Sequence, residues 1–378
     1  MTAREIITYL ENWAPPGAAW ERDNVGLQVG SADRKVNKIF LCLELTENAL
    51  NSAIANKCNF IFTHHPLIFH PVYKFDTDKN PKAKLIQQIL KNDITVYSAH
   101  TNLDFTKNGV SFELAKSLSL KNIRFLKNLD NTLSKLTVFV PEEALEKVSG
   151  AIFSSGGGVI GEYKKCSYLV NGTGTFEGSD ETNPAVGTKG QFEKVPEIRL
   201  EVLISNWNLP AAIRSMIKAH PYEEPAFDIY PLKNTNPNFG MGAVGELEKP
   251  LTEDEFLNHV CNSLKINNLR YTSGKRKKIK TVAVCGGSCS DLLNEAIGSG
   301  ADAFVTADIK YHTFQDAENR ILFIDAGHYE TEILSLNAVK HKLEKFISEK
   351  KENIKILKYK GSTNPVKFYN KKGENQIA

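Results

Sequence analysis

The sequence has little of what membrane, secreted and nucleic-acid-binding proteins usually carry. None of its apolar runs approaches the ~20 residues of a membrane span. Residues 1–16 alternate charged and apolar residues at helical spacing, without the apolar core of a signal peptide. The formal net charge is only +3, and we interpret the basic run at 274–280 as a solvated approach to a strand. We therefore expect a cytoplasmic protein without a membrane or nucleic-acid partner.

Cysteine is also scarce, and its spacing excludes two classes of protein. The six cysteines are scattered, the sequence contains no CxxC pair, and only Cys285 and Cys289 are close neighbours. A zinc ribbon needs paired cysteines, and a disulfide framework needs a dense set of them. We therefore predict reduced thiols throughout the chain.

The two ends of the chain alternate between strand and helix patterns. The 378 residues suggest two or three domains, and 41% hydrophobic with 24% charged residues is an ordinary globular composition. The short apolar runs lie at 38–45, 59–63, 94–100, 280–287, 301–307 and 320–326. Helical patterns separate them, and a long amphipathic helix is predicted from about Tyr329 to Glu349. This rhythm predicts an α/β body with a mostly parallel sheet covered by helices.

The middle of the chain has a different order. Residues 131–233 are predicted to form strand, helix, Gly-rich turn, two strands, helix and strand, between turn-rich flanks. This order is typical of a ferredoxin-like α+β domain. We therefore predict a split body, with a first lobe at 1–130, an inserted domain at 131–233 and a second lobe at 234–378.

Polar side chains follow the predicted strands of the body. Ligands gather at the carboxyl ends of strands in open parallel sheets, so residues at these ends are candidates for a site. His64 and His65 follow one strand directly, although neighbouring side chains in an extended segment point to opposite faces. Two pockets, or two metal ions in one pocket, would use both. The other candidates after strands are His100, Asp104, Asp308, Lys310, His312, His328 and Glu332.

One pair has the spacing of a helical metal site. His328 and Glu332 are four residues apart at the start of a predicted helix, so their side chains share one face. A carboxylate in the second position can bridge two cations. We propose the ligand set His64, His65, Asp104, His328 and Glu332. With two divalent ions this set carries a net charge of about +2, and water must complete the coordination, which favours a site open to substrate.

Each candidate also has an ordinary alternative. A histidine after a strand is often a hydrogen-bonded loop residue, and Asp104 could be a turn or helix cap. The His328–Glu332 pair could be a surface pair worth a few tenths of a kcal/mol. These alternatives explain the set less well together, because every member falls on one predicted edge. His100, His312, Asp308 and Lys310 are better candidates for facing substrate or supporting the ligands. Mixed N/O ligation suits zinc, iron, manganese, cobalt or nickel.

Six segments of the chain carry a family resemblance: DNVGLQVG (23–30), FTHHPLIF (62–69), SAHTNLD (98–104), CGGSCSDLL (285–293), TADIKYH (306–312) and DAGHYETE (325–332). Together they resemble the NIF-three-like family of dinuclear-metal proteins, whose members are often labelled homologues of a type 2 GTP cyclohydrolase I. The resemblance implies the same five ligands, with His64 on one metal, His65 on the other and Glu332 bridging. It also implies a homohexameric ring with the metal sites facing an internal cavity.

The resemblance extends to the middle segment and shows two departures. Residues 156–176 and 219–232 look like the insert of the long form of the family, which is similar to PII and CutA signalling domains. Cys289 stands where the family often has glycine, and Asn364 stands where it usually has aspartate.

Two classes of function fit these features. The first is a metal-dependent hydrolase acting on a nucleotide or phosphorylated small molecule, with Glu332, His100 or His312 moving protons. GTP cyclohydrolase-type activity is suggested by the resemblance only, and the chain has no Walker-type phosphate loop. The alternative is a metal-dependent regulatory protein whose insert senses a small molecule or partner. Metal storage or delivery is a third option.

Overall fold

A computed structural model describes residues 1–369 of the chain, which divides into two compact units. Residues 1–127 and the chain from Gly240 onward form the first unit, which we call the body. Asn128–Phe239 form the second, which we call the insert unit. The segment predicted as an inserted domain, 131–233, lies within this second unit.

The helices and strands follow in chain order. Before the insert unit they are α1 (Ala3–Trp13), β1 (Gly26–Val29), β2 (Lys38–Cys42), α2 (Glu47–Ala55), β3 (Phe60–Thr63), α3 (Pro81–Lys91), β4 (Thr95–Ser98), α4 (Thr101–Asp104), α5 (Val110–Ser117) and β5 (Lys121–Asn128). Next come β6 (Leu133–Val140), α6 (Leu145–Ser154), β7 (Tyr168–Glu177), β8 (Phe192–Ser205), α7 (Leu209–Ala219) and β9 (Phe227–Leu232). The body then continues with β10 (Gly240–Thr252), α8 (Glu253–Leu264), β11 (Arg270–Thr272), β12 (Lys278–Val284), α9 (Leu293–Gly298), β13 (Ala303–Thr306), α10 (Tyr311–Ala317), β14 (Leu322–Asp325), α11 (His328–Glu332), α12 (Ser335–Glu349) and β15 (Lys355–Lys358).

The first sheet of the body has the strand order β1-β4-β3-β2-β15. Its four strands from β4 to β15 are parallel, and β1 is antiparallel at the edge. Alternate residues of β3 face opposite cores: Phe60 and Phe62 pack in the cluster with α1 and α12, whereas Ile61 packs in the cluster with α2 and α3. Burial on both faces explains why these strands are continuous apolar runs in the sequence.

The second sheet of the body has the order β11-β14-β13-β12-β10-β5 and is mixed. Its central strands β12, β13 and β14 are parallel, whereas β10 pairs antiparallel with β12 and β11 pairs antiparallel with β14. The prediction of one mostly parallel sheet is therefore corrected to two sheets. The sequence pattern missed β11 because its residues are largely exposed. An edge strand of this kind has no apolar run.

The insert unit contains one antiparallel sheet with the order β7-β8-β6-β9. Helices α6 and α7 supply Val148, Ile152, Ala212 and Met216 to the core on one face of this sheet. The chain order strand, helix, strand, strand, helix, strand is the one that led us to predict a ferredoxin-like domain. That class, and the likeness to PII and CutA, stay predictions.

The long C-terminal helix predicted from about Tyr329 to Glu349 is two helices in the structure. Helix α11 ends at Glu332 and α12 begins at Ser335. The Thr331 hydroxyl donates back to the carbonyl oxygens of Gly327 and His328, both at 2.9 Å. Such bonds bend helices. Beyond the break, α12 contributes Leu336, Val339 and Leu343 to the core cluster that contains Phe60 and Phe62 of β3. No helix within residues 1–369 is long and apolar enough to cross a membrane.

Candidate metal centre

His64 and His65 follow β3 and are held through their Nδ1 atoms. The backbone N–H groups of both residues donate to the Leu43 carbonyl oxygen at 3.0 Å, which turns the chain at the end of the strand. His64 is fully buried, and its Nδ1 lies 2.8 Å from the Ala99 carbonyl oxygen. The Nδ1 of His65 lies 2.8 Å from Glu44 Oε1. Each Nδ1 faces an acceptor and therefore carries the ring proton. When the ring is neutral, its lone pair is then on Nε2.

Glu332 places one carboxylate among three imidazoles. Its Oε1 lies 3.1 Å from His328 Nε2 and 3.8 Å from His64 Nε2. Its Oε2 lies 3.0 Å from His65 Nε2. Asp104, at the end of α4, brings its Oδ1 to 3.5 Å from His64 Nε2. The five side chains named from the sequence therefore lie together, with the Glu332 carboxylate between the histidines.

Three polar atoms at this point are buried without a hydrogen-bond partner among the described residues. They are His64 Nε2, Asp104 Oδ1 and Glu332 Oε2; the 3.0 Å approach of Glu332 Oε2 to His65 lacks hydrogen-bond alignment. An unsatisfied buried polar atom costs about 1–3 kcal/mol. Lone pairs that converge in this way fit a cation. Donor atoms of two groups, His64–His65–His100 and His65–His328–Glu332, lie within 4.8 Å of one another and could hold a metal ion.

Three further carboxylates hold the second nitrogen of three histidines. His65 Nδ1 faces Glu44, His100 Nδ1 lies 3.0 Å from both Asp23 oxygens, and His328 Nδ1 lies 2.6 Å from Asp308. Carboxylates in this position fix the tautomer and orientation of histidines that bind metals. Asp308 was among the candidates predicted from the sequence, whereas Asp23 and Glu44 were not. Glu44 was missed because the strand predicted at 38–45 included it, whereas β2 ends at Cys42 and Glu44 lies on the edge where ligands gather.

The buried side chains of the site shift one another's pKa values strongly. Burial raises the pKa of Glu332, but the imidazoles of His64, His328 and His65 outweigh burial and hold this pKa well below its usual range. Burial and the nearby Glu332 charge raise the pKa of Asp104 well above its usual range. Burial lowers the pKa of His64.

The other two histidines, His65 and His328, have raised pKa values. Burial lowers the pKa of His65, but the neighbouring carboxylates of Glu332 and Glu44 outweigh burial and raise this pKa to about 10. In His328 the Glu332 and Asp308 carboxylates likewise outweigh burial and raise the pKa to about 9. Both rings therefore carry protons near neutral pH, and these protons compete with cations for the same nitrogens.

A cavity of about 200 Å³ opens beside these side chains within the body. Asp104, His328 and Glu332 line it, and so do His100 and the half-exposed Trp20. Gly286 and Ser288, in the turn after β12, form another part of its wall. Gly287 has φ +70°, and a Cβ atom there would lie 2.2 Å from Glu332 Oε1. Glycine at this position therefore lets the backbone approach the carboxylate.

Two cysteines in this wall are joined. Cys285 and Cys289 form a disulfide, with their Cα atoms 6.0 Å apart, and both line the cavity. The prediction of reduced thiols throughout the chain is therefore wrong for this pair, because the turn after β12 brings the two residues within bonding reach. Four cysteines are free: Cys42, Cys58, Cys166 and Cys261.

The structure does not bring His312 to the donor atoms. It lies in α10, is exposed, and its Nδ1 lies 3.0 Å from Gln315 Oε1. Lys310, at the start of the same helix, is also exposed. Neither residue is among those lining the cavity of about 200 Å³ in the described body. His100 is therefore better placed than His312 to meet a molecule in the cavity.

The chain matches known proteins along nearly its whole length. A family model described as Duf34/NIF3 (NGG1p interacting factor 3) matches residues 1–365. The chain belongs to the DUF34/NIF3 family. The resemblance inferred from the histidine and GHYETE motifs is thus confirmed, and the candidate metal centre is that of a DUF34/NIF3 protein.

Several relatives in the DUF34/NIF3 family are similar over their full length. A Bacillus subtilis protein named GTP cyclohydrolase 1 type 2 homolog is 36% identical over 97% of this chain and 99% of its own. A Halalkalibacterium halodurans protein of the same name is 35% identical over 96% of this chain and 98% of its own. The crystal structure of a Bacillus cereus protein related to NIF3 superposes with a TM-score of 0.80, at 36% identity over 98% of this chain and 99% of that one.

Proposed function

We propose that this DUF34/NIF3 protein binds two divalent metal ions and uses them to hydrolyse a nucleotide or a phosphorylated small molecule. The observation that supports two ions is the position of Glu332, whose two oxygens face different histidines. One side of its carboxylate approaches His65 and the other approaches His64 and His328. A carboxylate with donors on both sides is suited to bridge two cations.

The donors divide into two groups. His65, His328 and Glu332 have donor atoms within 4.8 Å of one another and would share one ion. His64 and Asp104, whose Nε2 and Oδ1 atoms lie 3.5 Å apart, would share the other ion with Glu332. When bound, the ions would polarise the substrate and activate water for attack. Imidazole and carboxylate ligation suits zinc, iron, manganese, cobalt or nickel.

The protein's own residues supply positioning and proton transfer. His100 lines the cavity, and Asp23 holds its Nδ1, so Nε2 is the atom that would exchange a proton with a substrate. Glu332 is the second candidate for proton transfer, as predicted from the sequence. The geometry gives no support to the same role for His312. The names of the relatives point to a GTP-like substrate, which we include in the proposed nucleotide class.

Metal content of purified variants tests the dinuclear centre. We expect two ions in the wild type, about one in His64→Ala and in His65→Ala, and fewer than one in Glu332→Ala, because a bridging carboxylate serves both ions. Elemental analysis after saturation and gel filtration gives the stoichiometry. His341→Ala, which changes an exposed histidine of α12, is the matched control and should keep two ions. One ion per saturated wild-type chain, or two in His64→Ala, would refute the proposal.

Turnover tests the hydrolase. Product release from GTP, other nucleotides and phosphorylated small molecules should rise in proportion to metal occupancy, and it should disappear in His65→Ala. Binding of such molecules to the fully metal-loaded protein without any product would refute hydrolysis and favour a regulatory role.

The insert unit offers a second candidate function, the sensing of a small molecule. A groove of about 540 Å³ lies entirely within this unit, and Arg199 and Tyr222 are among the residues that line it. Arg199 Nε and the Tyr222 hydroxyl oxygen are buried without hydrogen-bond partners among the described residues. Unsatisfied donors in residues that line a groove fit a ligand with acceptor groups. Thermal-shift screening of nucleotides and carboxylates should find a stabilising ligand that Arg199→Ala no longer binds, whereas equal stabilisation of both proteins would contradict this candidate.

We also propose that the chain assembles as a homohexameric ring, as the family resemblance implies. Large apolar side chains at Tyr73, Phe75, Val366 and Phe368 are exposed in the single chain, which supports burial by another copy. Sedimentation velocity should show one species of six chains. A stable monomer at micromolar concentration would contradict the assembly.

A further inference from the structure

Cys285 and Cys289 lie where a bond between them can act on the metal cavity. Cys285 directly follows β12 and is 3% exposed, whereas Cys289 is half-buried. Their Cα separation of 6.0 Å falls within the range of disulfides, about 4.4–6.8 Å. Both side chains line the cavity beside Asp104, His328 and Glu332. A small reagent that enters the cavity therefore meets these sulfur atoms.

The turn between the two cysteines packs directly on the candidate metal centre. Gly287 N–H donates to the Thr331 hydroxyl at 3.0 Å, and the Gly287 carbonyl oxygen accepts from the Thr306 hydroxyl at 2.9 Å. A Cβ atom at Gly287 would reach Glu332 Oε1. A covalent link between residues 285 and 289 therefore restrains the backbone that positions the Glu332 carboxylate.

The remaining cysteines do not share these features. Cys42, Cys58, Cys166 and Cys261 are all free. Cys42 and Cys58 are also deeply buried, at 1% and 2% exposed. A chain with one bonded pair among free cysteines does not have a disulfide framework. Where other thiols stay reduced, a single pair of this kind is usually transient, catalytic or redox-sensing.

We propose that Cys285 and Cys289 form a reversible dithiol–disulfide site in the wall of the metal cavity, and that its redox state controls how firmly the metals are held. The oxidant is a low-molecular-weight disulfide. The Cys289 thiolate, the more exposed of the two, attacks this reagent, breaks its S–S bond, forms a mixed disulfide and releases one thiol. The Cys285 thiolate then attacks Cys289 Sγ, the protein disulfide forms, and a second thiol leaves. The protons of the two cysteines pass to the two released thiols.

The effect on the metals rests on the proposed function, whereas the redox site does not. With the bond intact, the turn is fixed against α11 and Glu332 stays in place. With the bond open, the turn has more freedom, and the bridging carboxylate is less firmly held. The reduced protein should therefore release its ions faster than the oxidised protein.

Thiol state is measured first, on the full-length protein. The protein is equilibrated in buffers that span the ratio of reduced to oxidised glutathione, quenched in acid, alkylated and analysed by intact mass. We expect one two-electron transition that protects two thiols from alkylation. Cys289→Ser should abolish the transition, and the control Cys261→Ser should keep it. Alkylation of all six thiols at every ratio, or a pair that dithiothreitol cannot open in the native protein, would overturn the site.

Metal release is measured second, by transfer to a chromogenic chelator. We expect the reduced wild type to release its ions several-fold faster than the oxidised wild type. Cys289→Ser should release them at the faster rate in both buffers. Equal rates for the oxidised and reduced wild type would overturn control of the metals. A wild type that binds no metal would refute the proposed function, while the alkylation experiment would still decide the redox site.

Discussion

Replacement of Gly287 by alanine should disturb the metal centre without touching any of its donor atoms. In the structure a Cβ atom at this position would lie 2.2 Å from Glu332 Oε1 and 3.4 Å from His328 Nε2. Real Cβ atoms essentially never approach a neighbour within 3.0 Å, so the carboxylate or the turn must move by at least 0.8 Å. Since Glu332 is fixed between His65 and His328, this shift should spoil the alignment of the donors for both ions.

Two costs set the expected size of the effect. The backbone at Gly287 has φ +70°, where a residue with a side chain costs about 1–2 kcal/mol relative to glycine. This cost falls on the stability of the protein and should lower its melting temperature. Displacement of the carboxylate falls on metal affinity, which typically drops ~10–100-fold when a supporting contact of a ligand is lost. We therefore expect weaker binding of both ions in a protein that remains folded.

Competition with a chelator gives the metal affinity, and circular dichroism with a melting curve checks the fold. Gly298→Ala is the matched control, because a Cβ atom at Gly298, in helix α9, meets no atom within 4 Å. The control should keep the metal affinity of the wild type. The reasoning fails if folded Gly287→Ala also binds two ions with the affinity of the wild type.

Three further predictions follow from the same centre. His65 and His328 have pKa values raised to about 10 and about 9, and both must lose a proton to bind metal. The logarithm of the apparent metal affinity should therefore rise by about two per pH unit between pH 7 and 9. Titration calorimetry in two buffers counts the protons released on metal binding, and a count of zero would contradict this prediction. Glu44→Gln should weaken metal binding about tenfold by removing the charge behind His65, while Glu47→Gln, at an exposed carboxylate, should have no effect. The ends of the segment 128–239 are hydrogen-bonded to each other, so a short linker can replace the segment. This deletion should leave two ions in the folded body, and loss of both ions would show that the insert completes the site.

The parts of the fold that could be predicted are those buried on both faces. Strands β2, β3 and β4 are continuous apolar runs because helices cover both sides of their sheet. Strand β11 lies at one edge of the second sheet, and β10 lies between β12 and β5. Both have polar or glycine-containing sequences, so their antiparallel pairing left no apolar run to recognise. Assignment of the body to two sheets depends on such strands, which explains why one mostly parallel sheet was predicted instead.

The break between α11 and α12 was missed for a local reason. Apolar residues recur at helical spacing through this region, and that spacing predicts one helix from about Tyr329 to Glu349. Helical periodicity indicates which face of a helix is buried. It does not indicate where a side-chain hydroxyl donates to a carbonyl oxygen of the preceding turn, as the Thr331 hydroxyl does. The break matters for the site, because the short helix α11 carries His328 and Glu332, while α12 packs against the core.

The adjacent histidines lie just past the end of a strand, where strand geometry no longer sets the directions of their side chains. In an extended strand, His64 and His65 would point to opposite faces of the sheet. Strand β3 ends at Thr63, however, and both histidine N–H groups donate to the same carbonyl oxygen, that of Leu43. The backbone is therefore bent at both residues, and their ring centroids lie 4.9 Å apart. Each ring turns its Nε2 toward the Glu332 carboxylate. Two neighbours can thus face one carboxylate from two directions, and this is the arrangement that a pair of bridged ions needs.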